Sequence, residues 1–504
     1  MAPNLLNSSA GQNSIPLQIH MRIMRFNETY ESSYHHSGTT DLFCRCHGPF
    51  MTNTVATTLI LAATSHRPTL TGAPLKTSVT QTAPPRLCKS QFGSRNREFG
   101  TLNRESRYPE PRSLVRSMGV DVLYHMTPDL PKNEQPSKPA RKRAPTSKPP
   151  FTLAELKSLV PPHCFERSLL RSTLYLFHDI AILAGLFYVA NNYIPLLPWP
   201  MKWLAWPLYW ASAGTVGFGL WFMGHEMGHQ AFSDYEWLND AIGFLVHSSM
   251  LTPYYSWRHS HHQHHVHTGS VDKDSAHVPK QKPSVIRRYF NSPVGRIISL
   301  IFVLGVGWPL YLLFNLTGRK YQRHNSHFDP NAPMFPPRMR LKVHLSNAGV
   351  FSMLALLAWL AHTHGLAWLA SVYWGPITVV YAWVVSITLL NHVHPDLPRY
   401  GDGEWEWLRS SVTSTVDRDF GFLNYLFHQT PNVHTVHHLF PKMPHYGLVE
   451  ATNVLRPVLG EYYQFDPTPV HKALYQAVKE CVFVKEDDNQ KGVYWYSPIL
   501  EAAL

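Results

Sequence analysis

Long apolar segments most strongly constrain what this 504-residue chain can fold into. A helix needs about 20 predominantly apolar residues to cross the hydrocarbon core of a bilayer. Residues 174–197 and 203–223 meet that length, and a short Pro-rich connector joins them. Further candidates are residues 237–255, 297–316, 348–361 and 366–390. The pattern predicts an all-α integral membrane protein.

The charges beside residues 297–316 argue against six crossings. Basic residues flank this segment on both sides: Arg287, Arg288, Arg296, Arg319, Lys320 and Arg323. Basic residues favour the cytosolic side of a membrane, so both ends should lie there and the segment should not cross. We expect it and the weaker segment 237–255 to lie in the interface or re-enter. Four transmembrane helices in two hairpins remain, and the second hairpin turns at residues 362–365.

Residues 1–150 differ in composition from the rest of the chain. They are rich in Ser, Thr, Pro, Asn and Arg and show no sustained apolar period, which predicts a disordered tail ending in a basic, Pro-rich linker. An alternative is that translation begins at Met118. The membrane domain should span residues 151–496, opened by a capping box of Thr152 and Glu155, with residues 497–504 as a C-terminal tail. The polar tail explains a mean hydropathy of −0.19, which by itself suggests a soluble protein.

The net charge of +12 does not indicate a nucleic-acid partner. The basic residues concentrate in the N-terminal tail and beside the apolar segments, which is typical of membrane topology. We therefore expect a membrane, and no nucleic acid, as partner. Five cysteines without a CxxC pair exclude a disulfide framework and fit a reducing, cytosol-facing environment.

Three clusters of histidines lie just outside the apolar segments. They are His225 and His229; His261, His264 and His265; and His434, His437 and His438. At helical pitch, positions i, i+3 and i+4 share one face, so each cluster can present two or three imidazoles to one point. An even number of crossings separates the clusters in the four-helix arrangement. All three should therefore lie on one membrane face, in a cytosolic histidine-rich domain.

Eight imidazoles are too many for one ion and suit a pair of metals. A nitrogen donor set without thiols indicates iron, with zinc or copper as chemical alternatives. Imidazole-ligated ferrous ions with open positions can activate dioxygen, and attack on an unactivated C–H bond requires such chemistry because no side chain can do it alone.

The clusters and their neighbours resemble the histidine boxes of the integral-membrane fatty acid desaturases. The similar stretches are HEMGHQAFS at residues 225–233, SWR at 256–258 before the second cluster, and HTVHHLFPKMPHY at 434–446. The resemblance covers residues 151–496 and is closest to the delta-12 (omega-6) oleate desaturases of fungi and plants. The PPHCF stretch at 161–165 is similar to the fungal subgroup.

This resemblance implies a di-iron centre held by the eight box histidines. It implies that O2 and two electrons are used to convert an oleoyl chain, bound to phospholipid or CoA, into linoleoyl. The family usually adds a ligand before the third box; His392, His394 and His428 are candidates, and we favour His392, which directly follows the last apolar segment. Separate cytochrome b5 and its NAD(P)H-dependent reductase are implied as electron donors, since no HPGG haem motif occurs. The implied location is the endoplasmic reticulum membrane, with the boxes facing the cytosol.

Two positions depart from the commonest family pattern and leave the product open. Met227 and Gln230 replace a Cys and a His that are frequent in related enzymes. An omega-3 desaturase, acetylenase, conjugase or hydroxylase is therefore an alternative. Asp272 and Asp274 follow the second cluster, where they could orient ligand imidazoles or be solvated loop charges.

A membrane zinc protease is an alternative of another class. His225-Glu226 and His229 match the H-E-x-x-H signature, in which two histidines bind zinc and the glutamate is the general base. Such an enzyme needs one further ligand, so the second and third histidine clusters would have no role.

Overall fold

The computed structural model describes residues 142–499, which are mostly helical. The helices are α1 Leu153–Leu159, α2 Leu169–Asn192, α3 Trp199–Gly228, α4 Glu236–Ser249, α5 Tyr254–His267, α6 Val285–Tyr289, α7 Pro293–Phe314, α8 Arg340–His364, α9 Leu366–Leu369, α10 Gly375–His392, α11 Trp407–Thr413, α12 Leu423–Leu426, α13 His434–Leu439, α14 His445–Leu459 and α15 Val470–Glu480. Single 3₁₀ turns occur at Pro162–Phe165, Ile194–Leu196, Pro337–Met339, Thr430–Asn432 and Gly460–Tyr462, and a π turn at Ala370–Trp374 joins α9 to α10.

Short strands add to the helical architecture that the sequence predicted. They are β1 Arg399–Tyr400, β2 Asp417–Arg418, β3 Phe465–Asp466, β4 Phe483–Glu486 and β5 Val493–Ser497. β5 is the centre of an antiparallel sheet of order β1-β5-β4, in which Arg399 lies opposite Tyr494, and β2 pairs in parallel with β3. These strands connect the segment after α10 with the C-terminal part of the chain.

α3 is the central helix of the apolar region and packs against α2, α4 and α10. Gly214 permits close contact with α10, since a Cβ there would lie 2.6 Å from the backbone oxygen of Pro376. Small residues at such contacts let helix backbones approach closely in a membrane. The indole of Trp210 donates to the Ser371 oxygen over 2.7 Å, and the Tyr209 hydroxyl donates to the Val372 oxygen over 3.1 Å. The π turn is thereby fixed against α3.

Four helical segments of the described chain are long and apolar enough to cross a membrane. They are Leu169–Leu196, Pro293–Phe314, Pro337–His364 and Leu366–His392. The number of helices able to cross, four, is the number expected from the sequence, but one of the four helices is a different one. α3, which we counted as a crossing, is not among them because Trp, Tyr, Pro and Gly reduce its apolarity, whereas α7 qualifies by length and composition. α4 has 14 residues, too few to cross, which agrees with the interfacial position expected for residues 237–255.

Both ends of α7 are tied to neighbouring segments. Near its first residue, the Asn291 amide donates to the Ile499 oxygen over 3.4 Å, and α7 packs against α15. Near its last turn, the Tyr311 hydroxyl donates to the Ser275 oxygen over 3.1 Å, in the loop after α5. The expected interfacial or re-entrant position of α7 stays a prediction.

The packed region extends beyond the boundaries expected from the sequence. The backbone N–H of Ala144 donates to the Asp396 oxygen over 3.0 Å, and Arg409 donates to the Thr146 oxygen over 2.9 Å. At the other end, Ile499 is 7% exposed. The predicted capping box of Thr152 and Glu155 is present. The expected tail at 1–141 and residues 500–504 lie outside the described residues, so the prediction for them stands as made.

Cysteine labelling tests the orientation of α7. Single cysteines at the exposed positions Ser284 and Lys320, in a variant without native cysteines, should react with an impermeant maleimide from the same side of sealed microsomes. A cysteine at the exposed Thr363, in the last turn of α8, should react only when the opposite side is accessible. Labelling of Ser284→Cys and Lys320→Cys from opposite sides would show that α7 crosses.

Candidate metal centre

Five histidines from three helices form one spatial group, which is called the first cluster from here on. The three histidine clusters of the sequence are called boxes. The C-terminal end of α3 contributes His225, α5 contributes His261 and His265, and α13 contributes His437, with His229 at the residue that ends α3. One ring nitrogen of each lies within 4.8 Å of the others. The Nε2 atoms of His225 and His229 are 3.2 Å apart, as are those of His261 and His265. Helical spacing thus brings each pair to one point, as the sequence predicted.

A second cluster lies beside the first and contains the remaining box histidines. The ring nitrogens of His264, His392 and His438 lie within 4.8 Å of one another. The Nε2 of His434 lies 2.8 Å from that of His392 and 3.2 Å from that of His438. The His264 and His438 ring centroids are 5.2 Å apart, and the stacked rings of His265 and His438 connect the two clusters.

The histidine boxes do not correspond one to one with the clusters. On α5, His261 and His265 face the first cluster, whereas His264 faces the second. On α13, His437 belongs to the first cluster and His438 to the second. The expectation that each box serves a single point was therefore wrong for the second and third boxes, because helices packed on two sides of α5 divide its imidazoles between them.

Of the three candidates for a ninth ligand, only His392 reaches a cluster. The Nε2 of His392, in the last turn of α10, lies 3.1 Å from the Nε2 of His264. His428 instead bonds through Nε2 to the Asp179 carboxylate over 2.7 Å. His394 instead lies beside Asp466, with its Nε2 3.4 Å from the Asp466 carboxylate. His392 is thus the candidate that lies beside other box histidines, and its role as a ligand stays a prediction.

Eight of the nine clustered imidazoles are buried, and His261 is partly exposed. Burial, followed by the effect of neighbouring imidazoles, lowers the pKa of His261, His265 and His438 well below the usual value of 6.5. Burial likewise lowers the pKa of His437 to about 3. At neutral pH these rings carry one proton each, which leaves a nitrogen lone pair free, and neutral imidazole is the form that binds metals.

The donor set fits a pair of cations. His437 is 2% exposed, yet neither of its ring nitrogens has a hydrogen-bond partner among the described residues. An unsatisfied buried polar group costs about 1–3 kcal/mol. At the 2.8 Å contact between His392 and His434, one ring can donate its Nε2 proton to the other, but His434 also lies 3.2 Å from His438 and His392 lies 3.1 Å from His264. A cation in each cluster would bind the lone pairs that converge there.

Burial and a hydrogen bond to a cluster histidine distinguish Asp274 from Asp272. Asp274 is fully buried and accepts from the Nδ1 of His264 over 2.8 Å, whereas Asp272 is exposed. Burial raises the pKa of Asp274, but the His264 contact and nearby His277 and Arg399 outweigh it, so the pKa is below its ordinary value. The sequence analysis missed Arg399 and Thr268. Thr268 could have been found from its spacing, because it lies four residues after His264, at the residue that follows α5.

The position of Glu226 argues against the zinc protease alternative. Its Oε2 accepts from the backbone N–H of His445 over 2.9 Å, and its Oε1 is 3.9 Å from the Nδ1 of His225. The carboxylate therefore lies behind His225 and ties α3 to the start of α14. A protease base would have to face the open side of the metal, where a water binds.

Aromatic side chains cover the apolar side of the first cluster. The Trp257 ring stacks on His261 with centroids 4.7 Å apart, and Phe222 stacks on His225 at 4.8 Å. The indoles of Trp221 and Trp308 both donate to the Thr252 hydroxyl, over 3.4 Å and 3.3 Å. All four aromatic residues are buried, so this side of the cluster is closed to water.

Comparison with known proteins agrees with the histidine pattern. The fatty acid desaturase family model matches residues 201–468, which contain all three boxes and His392. The delta(12) fatty acid desaturase FAD2 of Calendula officinalis is 50% identical, covering 70% of this chain and 93% of that protein. The delta(12)-fatty-acid desaturase of Arabidopsis thaliana is 49% identical, covering 71% and 94%. The delta(12) acyl-lipid conjugase (11E,13E-forming) of Impatiens balsamina is 48% identical, covering 70% and 94%.

These relatives are plant proteins, so the likeness to the fungal subgroup stays a prediction. The family model and the identity of about half the residues over nearly the whole length of each relative confirm what the histidine boxes predicted. The chain belongs to the fatty acid desaturase family, a family of oxygen-dependent membrane oxidoreductases.

Proposed function

We propose that the chain is a di-iron acyl-lipid desaturase that introduces a cis double bond at the delta-12 position of an oleoyl chain, giving linoleoyl. The observation that carries the proposal is the pair of adjacent clusters, which bring nine imidazoles, eight of them buried, together without a thiol. We assign five of them to one iron, namely His225, His229, His261, His265 and His437. We assign His264, His392, His434 and His438 to the other.

The regiochemistry rests on the relatives. Proteins named delta(12) desaturases are 49–50% identical to the chain over more than nine tenths of their length. A delta(12) conjugase is 48% identical, so overall identity does not separate the two products. Double-bond insertion at delta-12 is the reaction that most of these names share, and we adopt it.

The reaction needs O2, two electrons and two protons. Two C–H bonds of the acyl chain break, a C=C bond forms, and O2 is reduced to two molecules of water. When bound, the irons supply activation of O2, which side chains alone do not. The chain's own residues would hold the metals through imidazole nitrogens, and the irons, when bound, would supply open positions for O2.

The aromatic residues beside the first cluster would shield the reacting carbons from water. Trp257 and Phe222 stack directly on two of its imidazoles, and Trp221 packs behind them. An acyl chain needs an apolar approach of this kind, and a water-excluded site protects reactive oxygen species from side reactions. Changes among these residues should therefore affect coupling of O2 consumption to desaturation.

Electrons would come from cytochrome b5 and its NAD(P)H-dependent reductase, as separate proteins. We place the enzyme in the endoplasmic reticulum membrane with the histidine boxes facing the cytosol, where these donors operate. Support for a membrane location comes from the helices that are long and apolar enough to span a bilayer.

Expression in a yeast that makes oleate but no polyunsaturated lipid tests the product. We expect linoleate with the double bond at delta-12, identified by mass spectrometry of fatty-acid derivatives. The matched variant His437→Ala should express but form no new double bond, because it removes a ligand that has no other partner. No new unsaturation despite good expression contradicts the proposal, and conjugated, hydroxylated or omega-3 products would reassign the reaction within the family.

Separate variants test the ninth ligand. His392→Ala should lower the iron content of purified protein from about two to about one per chain, because the second cluster loses the imidazole that contacts both His264 and His434. The control His428→Gln keeps a donor for Asp179 and should retain both irons. Full iron content in His392→Ala, or loss of iron in His428→Gln, would contradict the assignment.

A further inference from the structure

We propose that Asp274, supported by Arg399, is a positioning residue that fixes the His264 ring for metal binding. Metal binding at the second cluster then depends on residues 268–277, which follow α5, whereas binding at the first cluster does not. The inference rests on the proposed di-iron function and deepens it. It assigns a role to buried polar residues that are not themselves metal ligands. Its consequence is that the two metal sites can be weakened independently.

The hydrogen bonds of Asp274 determine which nitrogen of His264 is free. Its Oδ1 accepts the backbone N–H groups of Ala276 over 2.8 Å and of His277 over 3.0 Å. The same Oδ1 atom also accepts from the Nδ1 of His264 over 2.8 Å. The proton of His264 is therefore on Nδ1, and the Nε2 lone pair points into the second cluster. Carboxylates behind ligand histidines fix the tautomer and increase ligand basicity.

Arg399 joins this carboxylate to a second ligand from another helix. Its guanidinium donates to the backbone oxygen of His392, and its Nη1 lies 3.9 Å from the Oδ2 of Asp274. Both side chains are completely buried, so their charges must balance each other. The pair thus links His264 on α5 with His392 at the end of α10, residues that are distant in the sequence.

Thr268 fixes a third imidazole of the same cluster. Its hydroxyl donates to the His264 backbone oxygen over 2.6 Å, and the Nδ1 of His438 is 3.1 Å away. A hydroxyl has one proton, so at His438 it must be the acceptor. Nδ1 of His438 therefore carries the proton, and its Nε2 is free to bind metal.

The first cluster has no comparable support among the described residues. The Nδ1 atoms of His225, His265 and His437 are buried without a hydrogen-bond partner. The nearest carboxylate, Glu226, is 3.9 Å from His225. Residues 268–277 consequently act on the second cluster and leave the first largely unaffected.

Anaerobic titration of the metal-free full-length protein with ferrous ion tests the proposal. Asp274→Asn keeps the side-chain size but removes the charge and half of the acceptor capacity. We expect binding at one site to weaken about 10–100-fold, with the other site within about twofold of the unchanged protein. Asp272→Asn, an exposed carboxylate two positions earlier, should leave both sites unchanged.

A second pair of variants repeats the test without a charge change. Thr268→Val removes the hydroxyl and should weaken the same single site, whereas Thr268→Ser keeps the hydroxyl and should restore it. Equal weakening of both sites with a lower melting temperature would mean a structural role, and unchanged binding would mean no role; either overturns the inference. Absence of iron binding by the unchanged protein would instead overturn the proposed function.

Discussion

The convergence of nine imidazoles on two adjacent points is the constraint on which the rest of the structure depends. In the second cluster, four Nε2 atoms follow one another at 3.1, 2.8 and 3.2 Å, and the Nδ1 atoms of five cluster rings are buried without a partner. Burial raises the cost of every unsatisfied nitrogen, since no solvent can compensate it. Two cations would bind the lone pairs that converge there, so the arrangement of α3, α5, α10 and α13 is best understood as a frame for metals.

The membrane helices explain how that frame is built beside a lipid substrate. Close contact at Gly214 holds α3 against α10, and the hydrogen bond from Trp210 holds α3 against the π turn before α10. Each of the two helices ends at cluster histidines, so His225 and His392 lie at one end of the apolar region. Trp221, Phe222 and Trp257 lie one helical turn before the histidines that follow them on α3 and α5. In the proposed function, an acyl chain would approach from this apolar side.

Local patterns in the sequence were sufficient to identify the clustered histidines, but not to divide them between two sites. Spacing placed His261, His264 and His265 on one helix, yet their assignment to two clusters depends on α10 and α13 packing from different directions. Arg399 could not be found because Asp274 is distant in the sequence and is brought near it by backbone hydrogen bonds of Tyr400 with Gly269 and Val271. Hydropathy marked all four apolar helices, and only the charges beside residues 297–316 removed α7 from the expected crossings, whereas α3 was counted although it is less apolar.

Iron K-edge X-ray absorption, combined with metal analysis of the purified full-length protein, tests the central claim most directly. The account predicts about two irons per chain, with a first coordination shell of nitrogen and oxygen, an imidazole scattering pattern and no sulfur. One zinc ion per chain without iron, or a sulfur scatterer in the first shell, would contradict it.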